Sequence, residues 1–184
     1  MALRLNLGSG RHPLEGHINC DLQSSAPNEG VDIVLDLRHH LPFATKSCEE
    51  VTMLQVLEHL ETSFTPPILK QVYRVLEPDG LIDVEVPDIA YICKKWPRAS
   101  YEERWVGLGV NKNYPPLAQW IWGRGQSSNR HLTGFDRERL ERALMKAGFK
   151  DIEATKPRQG LSIRLRGRKR EREGSTDRPD PSRR

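Results

Sequence analysis

The feature that most constrains the fold is a series of short apolar segments, each followed directly by glycine or aspartate. Residues 3–7 alternate apolar and polar side chains, as a half-buried strand does, and the turn from Gly8 to Gly10 ends them. Two later segments end at Asp21 and Asp36. In a parallel sheet, ligands bind beyond the carboxyl ends of the strands, where the strand order reverses. The pattern therefore predicts an α/β domain whose functional residues directly follow its strands.

The rest of the chain supplies helices and further strands. One helix pattern begins at Thr65 and is ended by the Pro-Asp-Gly sequence at 78–80, and a second runs from Asp136 to Gly148. Because strands alternate with loops and helices, most strands should be parallel. We predict a mostly parallel sheet of seven strands with a C-terminal antiparallel hairpin. The strand segments are residues 3–7, 17–20, 31–35, 50–54, 81–86, 151–155 and 160–165.

A long irregular segment, at about residues 89–131, interrupts this pattern and contains all four tryptophans. Connections of that length are usually lids or binding loops. Aromatic faces suit sugar rings or planar molecules, and the arginines between them suit anionic groups. Packing of the tryptophans onto the domain explains the composition equally well. We expect one domain over residues 1–167 that carries this insertion.

Charge separates the folded body from the C-terminal end. The 184 residues include 29 Lys+Arg and 25 Asp+Glu, a net charge of +4. Residues 161–184 hold 9 of the basic and 4 of the acidic residues, which leaves 20 and 21, a net charge of −1, for the rest. The body therefore lacks a basic surface for nucleic acid, and no nucleic-acid partner is expected. Residues 168–184 contain no apolar side chain and are predicted to be a disordered basic tail.

Other features of the whole chain indicate its cellular compartment and bear on membrane and metal binding. The N-terminus lacks the apolar stretch of a signal peptide, and no apolar run approaches the ~20 residues of a membrane span. The three cysteines, Cys20, Cys48 and Cys93, show no CxxC spacing, so neither disulfides nor a zinc cluster is expected. We predict a cytoplasmic protein with no membrane partner and no metal.

The residues after the first three strands suit a cofactor that contains a nucleoside. Glycines in the first of these turns, Gly8 and Gly10, allow the backbone to turn sharply and approach a ligand. Asp21 can accept two hydrogen bonds from ribose hydroxyls. Asp36 can accept a hydrogen bond from an adenine amino group while Leu37 packs on the ring. A surface turn would explain each position alone, but the three strand ends together are much more specific.

Taken in order, these motifs resemble class I S-adenosylmethionine (SAM)-dependent methyltransferases. They are most similar to the type 11 group and its short branch often associated with glycan synthesis. The resemblance implies a Rossmann-like fold and SAM as cofactor. The matching segments are LNLGSG at residues 5–10, INCD at 18–21, DL at 36–37, LPF at 41–43, VLEHL at 56–60 and YRVLEPDG at 73–80.

The resemblance also implies which residues contact the cofactor. The two glycines of the first turn would line the methionine moiety, and Asp21 would hold the ribose. Asp36 and Leu37 would frame the adenine. Gln55, just beyond the fourth strand, would lie close to the methyl group.

The chain departs from the family pattern after the first strand. The interval from Gly10 to Asp21 is too short for the long helix that usually joins the first two strands, so that helix is predicted to be shortened or absent. A helix N-terminus normally favours the cofactor carboxylate, and Arg11 could replace it by charge pairing. A competing interpretation, an NAD-dependent dehydrogenase, is disfavoured. Pro13 occupies the position of the third glycine, and Asp21 follows Gly10 by only 11 residues rather than about 20.

Three residues are candidates for catalysis on the methyl acceptor. His59 and His131 could act as general bases, since imidazole titrates near neutrality. Asp88 follows the fifth strand and could bind a hydroxyl or ammonium group. The alternatives are a packed or capping histidine and a turn aspartate. The predicted function is methyl transfer from SAM to an oxygen or nitrogen of a small-molecule or glycan acceptor, and the alternative is a catalytically silent SAM-fold binding or partner protein.

Overall fold

The computed structural model describes residues 2–22, 30–106, 116–123, 130–158 and 160–170. Within these residues, seven strands form one sheet in the order β3-β2-β1-β4-β5-β7-β6. Only β7 runs against the others, because it pairs antiparallel with both β5 and β6. The predicted mostly parallel sheet with a C-terminal hairpin is confirmed. The strands are β1 Leu3–Leu7, β2 Ile18–Asp21, β3 Ile33–Val34, β4 Cys48–Leu54, β5 Leu76–Pro87, β6 Lys150–Thr155 and β7 Ser162–Arg168.

The strand order reverses between β1 and β4, in the centre of the sheet. Leu5 of β1 pairs in parallel with Ile18 of β2 and with Val51 of β4. Leu5 and Val51 are fully buried, as is Leu7 at the end of β1. The carboxyl ends of β1, β2 and β4 therefore lie side by side at the point where such sheets bind ligands.

Two long helices, α1 (Thr65–Val75) and α4 (Arg137–Ala147), pack against each other and against the sheet. The ends of α4 are those predicted. The side chain of Asp136 accepts a hydrogen bond from the Arg139 N–H at 2.8 Å, and Gly148 ends the helix in the left-handed conformation with φ +111°. None of the described helices is long and apolar enough to cross a membrane.

No helix joins β1 to β2. Residues 8–17 contain only turns, a bend and irregular backbone. This confirms the departure from the family pattern that the short interval predicted.

The insertion after β5 has a small core of its own. The short helices α2 (Ile89–Lys95) and α3 (Leu117–Trp122) bury Ile92 and Trp120 together. Leu161 packs against this cluster and so joins it to the C-terminal hairpin. Of the four tryptophans, Trp120 therefore has the packing role that the sequence allowed.

The other three tryptophans form an aromatic cluster at the surface of the insertion. The rings of Trp105 and Trp122 are parallel with centroids 6.0 Å apart, and Trp96 contacts both edge-on. Trp105 and Trp122 remain about half exposed. Their faces are thus available to a ligand in a way that the face of Trp120 is not.

The folded body extends beyond the boundary predicted at residue 167. Arg168 is the last residue of β7, and the next residue, Lys169, is buried and exchanges backbone hydrogen bonds with Asp79 and Gly80. The ammonium group of Lys169 donates to the carbonyl of Leu76. The prediction was wrong for residues 168–170 because hydrogen bonds and a lysine stem can fix a segment without apolar residues. Residues 171–184 lie outside the described residues.

Candidate active site

The turn after β1 depends on glycine at both predicted positions. Gly8 has φ +74° and Gly10 has φ +51°, in the left-handed region that favours glycine. A Cβ on Gly8 would lie 2.4 Å from Cγ2 of Val56, a distance that packing forbids. A Cβ on Gly10 would meet nothing within 4 Å. Gly8 therefore allows close packing against the segment after β4, whereas Gly10 leaves open space next to the backbone.

Asp21 and the glycine turn are joined by hydrogen bonds. The Gly10 N–H donates to Oδ2 of Asp21 at 2.8 Å, and the Leu22 N–H donates to Oδ1 at 2.7 Å. The N–H groups of Gly8 and Ser9 both donate to the carbonyl of Cys20, at 2.8 and 3.0 Å. Because each carboxylate oxygen can accept two hydrogen bonds, the Asp21 carboxylate still has capacity for a ligand. The structure thus brings together two of the predicted cofactor positions.

Asp36 is more constrained than the sequence suggested. The guanidinium of Arg38 donates to both of its oxygens, at 2.6 to 3.0 Å, and the Arg38 N–H donates as well. These hydrogen bonds and the positive charge lower the pKa of Asp36 to about 2. Leu37 packs against the core beside it. A ligand at Asp36 would share the carboxylate with Arg38.

Gln55 follows β4 in a conformation that is uncommon for a residue with a side chain, with φ +58°. Its N–H donates to the carbonyl of Glu85 at 2.8 Å, and its Nε2 donates to Oγ of Ser162 at 2.9 Å. Residues other than glycine that adopt a positive φ are often found at functional sites. Gln55 is therefore fixed where β4, β5 and β7 end or begin.

Asp88 caps α2. Its Oδ1 accepts a hydrogen bond from the Tyr91 N–H at 3.0 Å, and its own N–H donates to the carbonyl of Leu161 at 2.9 Å. Among the alternatives for Asp88, these contacts favour a turn and capping role. The residue fixes the point at which the insertion leaves the sheet.

The two candidate histidines are brought together. His59 ends a short 3₁₀ turn, Leu57–His59, that follows β4, and its ring meets the ring of His131 edge-on with centroids 4.9 Å apart. Nδ1 of His59 lies 2.9 Å from the carbonyl oxygen of Arg130, and Nδ1 of His131 lies 2.9 Å from that of Trp120. Since a carbonyl can only accept, each Nδ1 carries the proton and each Nε2 keeps its lone pair.

A third residue, Glu58, completes this cluster and was missed by the sequence reasoning. Its side chain is 1% exposed, and neither carboxylate oxygen has a hydrogen-bond partner among the described residues. Oε1 lies 4.0 Å from Nε2 of His59. Burial, and to a smaller extent the charge of Glu85, raises the pKa of Glu58 to about 8. The VLEHL motif contained the signal, but the environment of Glu58 depends on residues about 70 positions away.

Burial has the opposite effect on the pKa of the two histidines, because it disfavours the charged imidazolium. It lowers the pKa of His59 and of His131, and for His131 the neighbouring His59 lowers it further. The backbone of Glu58 also holds the His131 segment in place, because its carbonyl accepts hydrogen bonds from the N–H groups of Leu132 and Thr133, at 2.7 and 3.1 Å. Burial therefore favours the neutral form of both imidazoles, with the proton on Nδ1.

Comparison with known proteins decides the family. A model of the methyltransferase domain matches residues 5–154. The chain belongs to this methyltransferase family. No curated protein sequence matches it.

Solved methyltransferases share the fold at low sequence identity. A SAM-dependent methyltransferase from Archaeoglobus fulgidus is 16% identical, with 91% of this chain and 86% of that chain covered and a TM-score of 0.62. One from Methanosarcina mazei is 14% identical, with 92% of each chain covered and a TM-score of 0.60. Human N-acetylserotonin methyltransferase in complex with SAM is 15% identical, with 92% of this chain and 48% of that chain covered and a TM-score of 0.55. Family and fold together make this chain a class I SAM-dependent methyltransferase.

The methyltransferase has a switch point that fits SAM. The turn from Gly8 to Gly10 leaves open space beside Gly10, and the carboxylate of Asp21 lies directly behind it. Backbone open to a ligand and an acceptor for hydroxyl groups are the two features that a nucleoside cofactor needs at this edge. The feature that is missing is the helix N-terminus, since residues 8–17 form no helix.

Proposed function

We propose that this methyltransferase transfers the methyl group of SAM to an oxygen or nitrogen of a small-molecule or glycan acceptor. The observation that carries the proposal is the hydrogen bond from the Gly10 N–H to the Asp21 carboxylate, which joins the carboxyl ends of β1 and β2. When bound, SAM supplies an electrophilic methyl group. The protein contributes position and orientation, which alone can account for several orders of magnitude in rate.

In this proposal the cofactor residues are those at the strand ends. The glycine turn lines the methionine moiety, with the exposed Arg11 next to it in place of a helix N-terminus. Asp21 holds the ribose. Asp36 and Leu37 frame the adenine, with Asp36 shared with Arg38. Gln55, fixed by Ser162, lies beside the methyl group.

The acceptor is proposed to bind under the insertion. Both ends of the insertion are tied to the carboxyl edge of the sheet, one through Asp88 after β5 and the other through Leu132, whose N–H donates to Glu58. The aromatic cluster of Trp96, Trp105 and Trp122, in which Trp105 and Trp122 are half exposed, suits the face of a sugar ring or a planar acceptor. Arg124, a further arginine of the insertion, lies outside the described residues.

The free Nε2 atoms of His59 and His131 are proposed to accept the proton of the acceptor. Both nitrogens are unprotonated in the neutral pair, because each Nδ1–H donates to a carbonyl. A general base must be unprotonated at the working pH, and burial lowers the pKa of both rings in that direction. Asp88 acts by positioning α2.

The test is a methyl-transfer assay on sugars, nucleotides and small aromatic hydroxyls and amines, with the demethylated cofactor as the measured product. Calorimetry with SAM runs in parallel on the same protein. Product formation with one class of acceptor is the expected result. Binding of SAM without transfer to any acceptor would overturn the proposal in favour of the catalytically silent alternative, which the missing helix after Gly10 favours.

A further inference from the structure

The side chains of Glu58, His59 and His131 converge in one cluster. One ligand atom from each residue can be chosen so that all three lie within 4.8 Å of one another. We propose that these residues bind one divalent transition-metal ion, of which Zn²⁺ is the representative. The sequence predicted no metal ligands, because Glu58 and His59 are adjacent but His131 lies 72 residues after His59 in the chain.

The hydrogen bonds of the two Nδ1–H groups are of the kind that metal-binding histidines make. A histidine that binds metal through one nitrogen usually donates the other N–H to a carbonyl or carboxylate, which fixes its tautomer and its orientation. Here the Nδ1–H of His59 donates to Arg130 and that of His131 to Trp120, each at 2.9 Å. Both Nε2 lone pairs are therefore left to bind a cation.

The buried carboxylate needs a positive partner. Glu58 is 1% exposed, and within the described residues neither of its oxygens accepts a hydrogen bond. A buried carboxylate without a partner is strongly unfavourable, and buried charges are normally paired or coordinate metals. Nε2 of His59 lies 4.0 Å from Oε1, too far for a hydrogen bond. A cation at the centre of the cluster would satisfy both Glu58 and the two imidazoles.

The ligand set indicates which class of metal would bind. Two imidazoles and one carboxylate suit Zn²⁺ and related first-row ions, whereas Mg²⁺ and Ca²⁺ prefer oxygen ligands alone. Zinc bonds of about 2.0–2.1 Å place tetrahedral ligand atoms roughly 3.3 Å apart. The ligand atoms of the cluster lie within 4.8 Å of one another and would move closer together when the ion binds. Three protein ligands leave a fourth position open.

The open position gives the metal a role in the reaction. On the proposed function, it would bind the acceptor oxygen and lower its pKa, so that the acceptor loses its proton near neutral pH. His59 and His131 would then act as ligands. Metal binding itself, however, depends only on the three side chains and is measurable without SAM or an acceptor.

The experiment uses the full chain, stripped of metal with a chelator and titrated with Co²⁺, whose visible absorption reports the ligand geometry. Zn²⁺ competition and calorimetry give the stoichiometry. We expect one Co²⁺ per chain with absorption typical of a tetrahedral or five-coordinate site, displaced by one Zn²⁺. Glu58→Gln and His131→Gln should each weaken binding by more than about 100-fold, since losing even a partner behind a ligand costs 10–100-fold.

The matched control is the double variant His39→Ala/His40→Ala. It removes two exposed histidines near another carboxylate, that of Asp36, and should leave binding unchanged. Circular dichroism of each variant without metal keeps folding separate from binding, and Glu58→Gln replaces the carboxyl group by an amide with almost no change in shape. Absence of one-to-one binding in the unmodified chain, or equal binding by the folded Glu58→Gln protein, would overturn the proposal. If methyl transfer alone failed, the result on metal binding would still hold.

Discussion

The proposed cofactor edge, from Gly8 to Asp21, and the proposed acceptor edge, around His59 and His131, are built in different ways. At the cofactor edge, neighbouring strand ends are tied by main-chain and carboxylate hydrogen bonds, such as that between Gly10 and Asp21. At the acceptor edge, His59 and His131 are positioned by contacts with Arg130 and Trp120, which belong to the insertion or its end. The first edge is an extension of the sheet, whereas the second exists only while the insertion is docked. Substitutions should therefore affect the two edges separately.

The largest effect is expected at the acceptor edge. His131→Ala removes a candidate base or metal ligand and should lower kcat by about 10²–10⁴-fold. SAM affinity should stay within about twofold, because among the described residues His131 contacts His59, Trp120 and Trp122 rather than the glycine turn or Asp21. Steady-state kinetics with the acceptor found in the panel, together with calorimetry for SAM, measure both. A large fall in melting temperature without a specific kinetic defect would instead assign His131 to packing, and His40→Ala is the matched histidine control.

The next largest effect is expected at the cofactor edge, on stability. Gly8→Ala should lower the free energy of unfolding by about 3 kcal/mol, from the strained φ and from overlap with Val56. Gly10→Ala has the same backbone strain but open space, so its loss should be nearer 1 kcal/mol. Urea unfolding of both variants gives the comparison. Equal losses would mean that the contact with Val56 is not a constraint.

The contrast between the edges also explains what the sequence could predict. Gly8, Gly10 and Asp21 were predictable because strand periodicity fixes where strands end and the carboxyl ends of parallel strands are neighbours. The absence of a helix between β1 and β2 followed from the short interval between Gly10 and Asp21. Positions at the cofactor edge therefore depend on local sequence and on a general rule of topology.

The cluster at the acceptor edge could not be predicted in the same way. His59 and His131 were separate candidates, and nothing in the sequence states that their rings meet or that Glu58 is buried beside them. That arrangement results from hydrogen bonds between the Glu58 backbone and residues 132–133. The ion pair of Asp36 was also missed, although Arg38 is only two residues away, because pairing of surface charges depends on backbone geometry.

A smaller effect is expected for the ribose contact. Asp21→Ala should weaken SAM binding about tenfold to a hundredfold, equivalent to roughly 1.5–3 kcal/mol for a hydrogen bond to a charged group. Asp36→Ala should weaken it less, because Arg38 already engages that carboxylate. Isothermal titration with SAM on folded protein ranks the two. An unchanged dissociation constant for Asp21→Ala would place the ribose contact elsewhere.

The smallest effect is expected from removing residues 171–184 at the C-terminal end, and a longer truncation serves as the comparison. Removing residues 171–184 takes away no apolar side chain, so unfolding free energy should change by less than about 0.5 kcal/mol and SAM affinity should be unchanged. Removing residues 168–184 also deletes Lys169, which donates to Leu76 and lies 5.0 Å from the centroid of the Tyr73 ring, and should cost about 2 kcal/mol. These contacts are at the beginning of β5, away from the carboxyl edge, so the shorter protein should still bind SAM normally where it is folded. Thermal denaturation and calorimetry on both truncations test this. Loss of SAM binding in the folded protein that ends at Arg170 would show that the tail reaches one of the two edges.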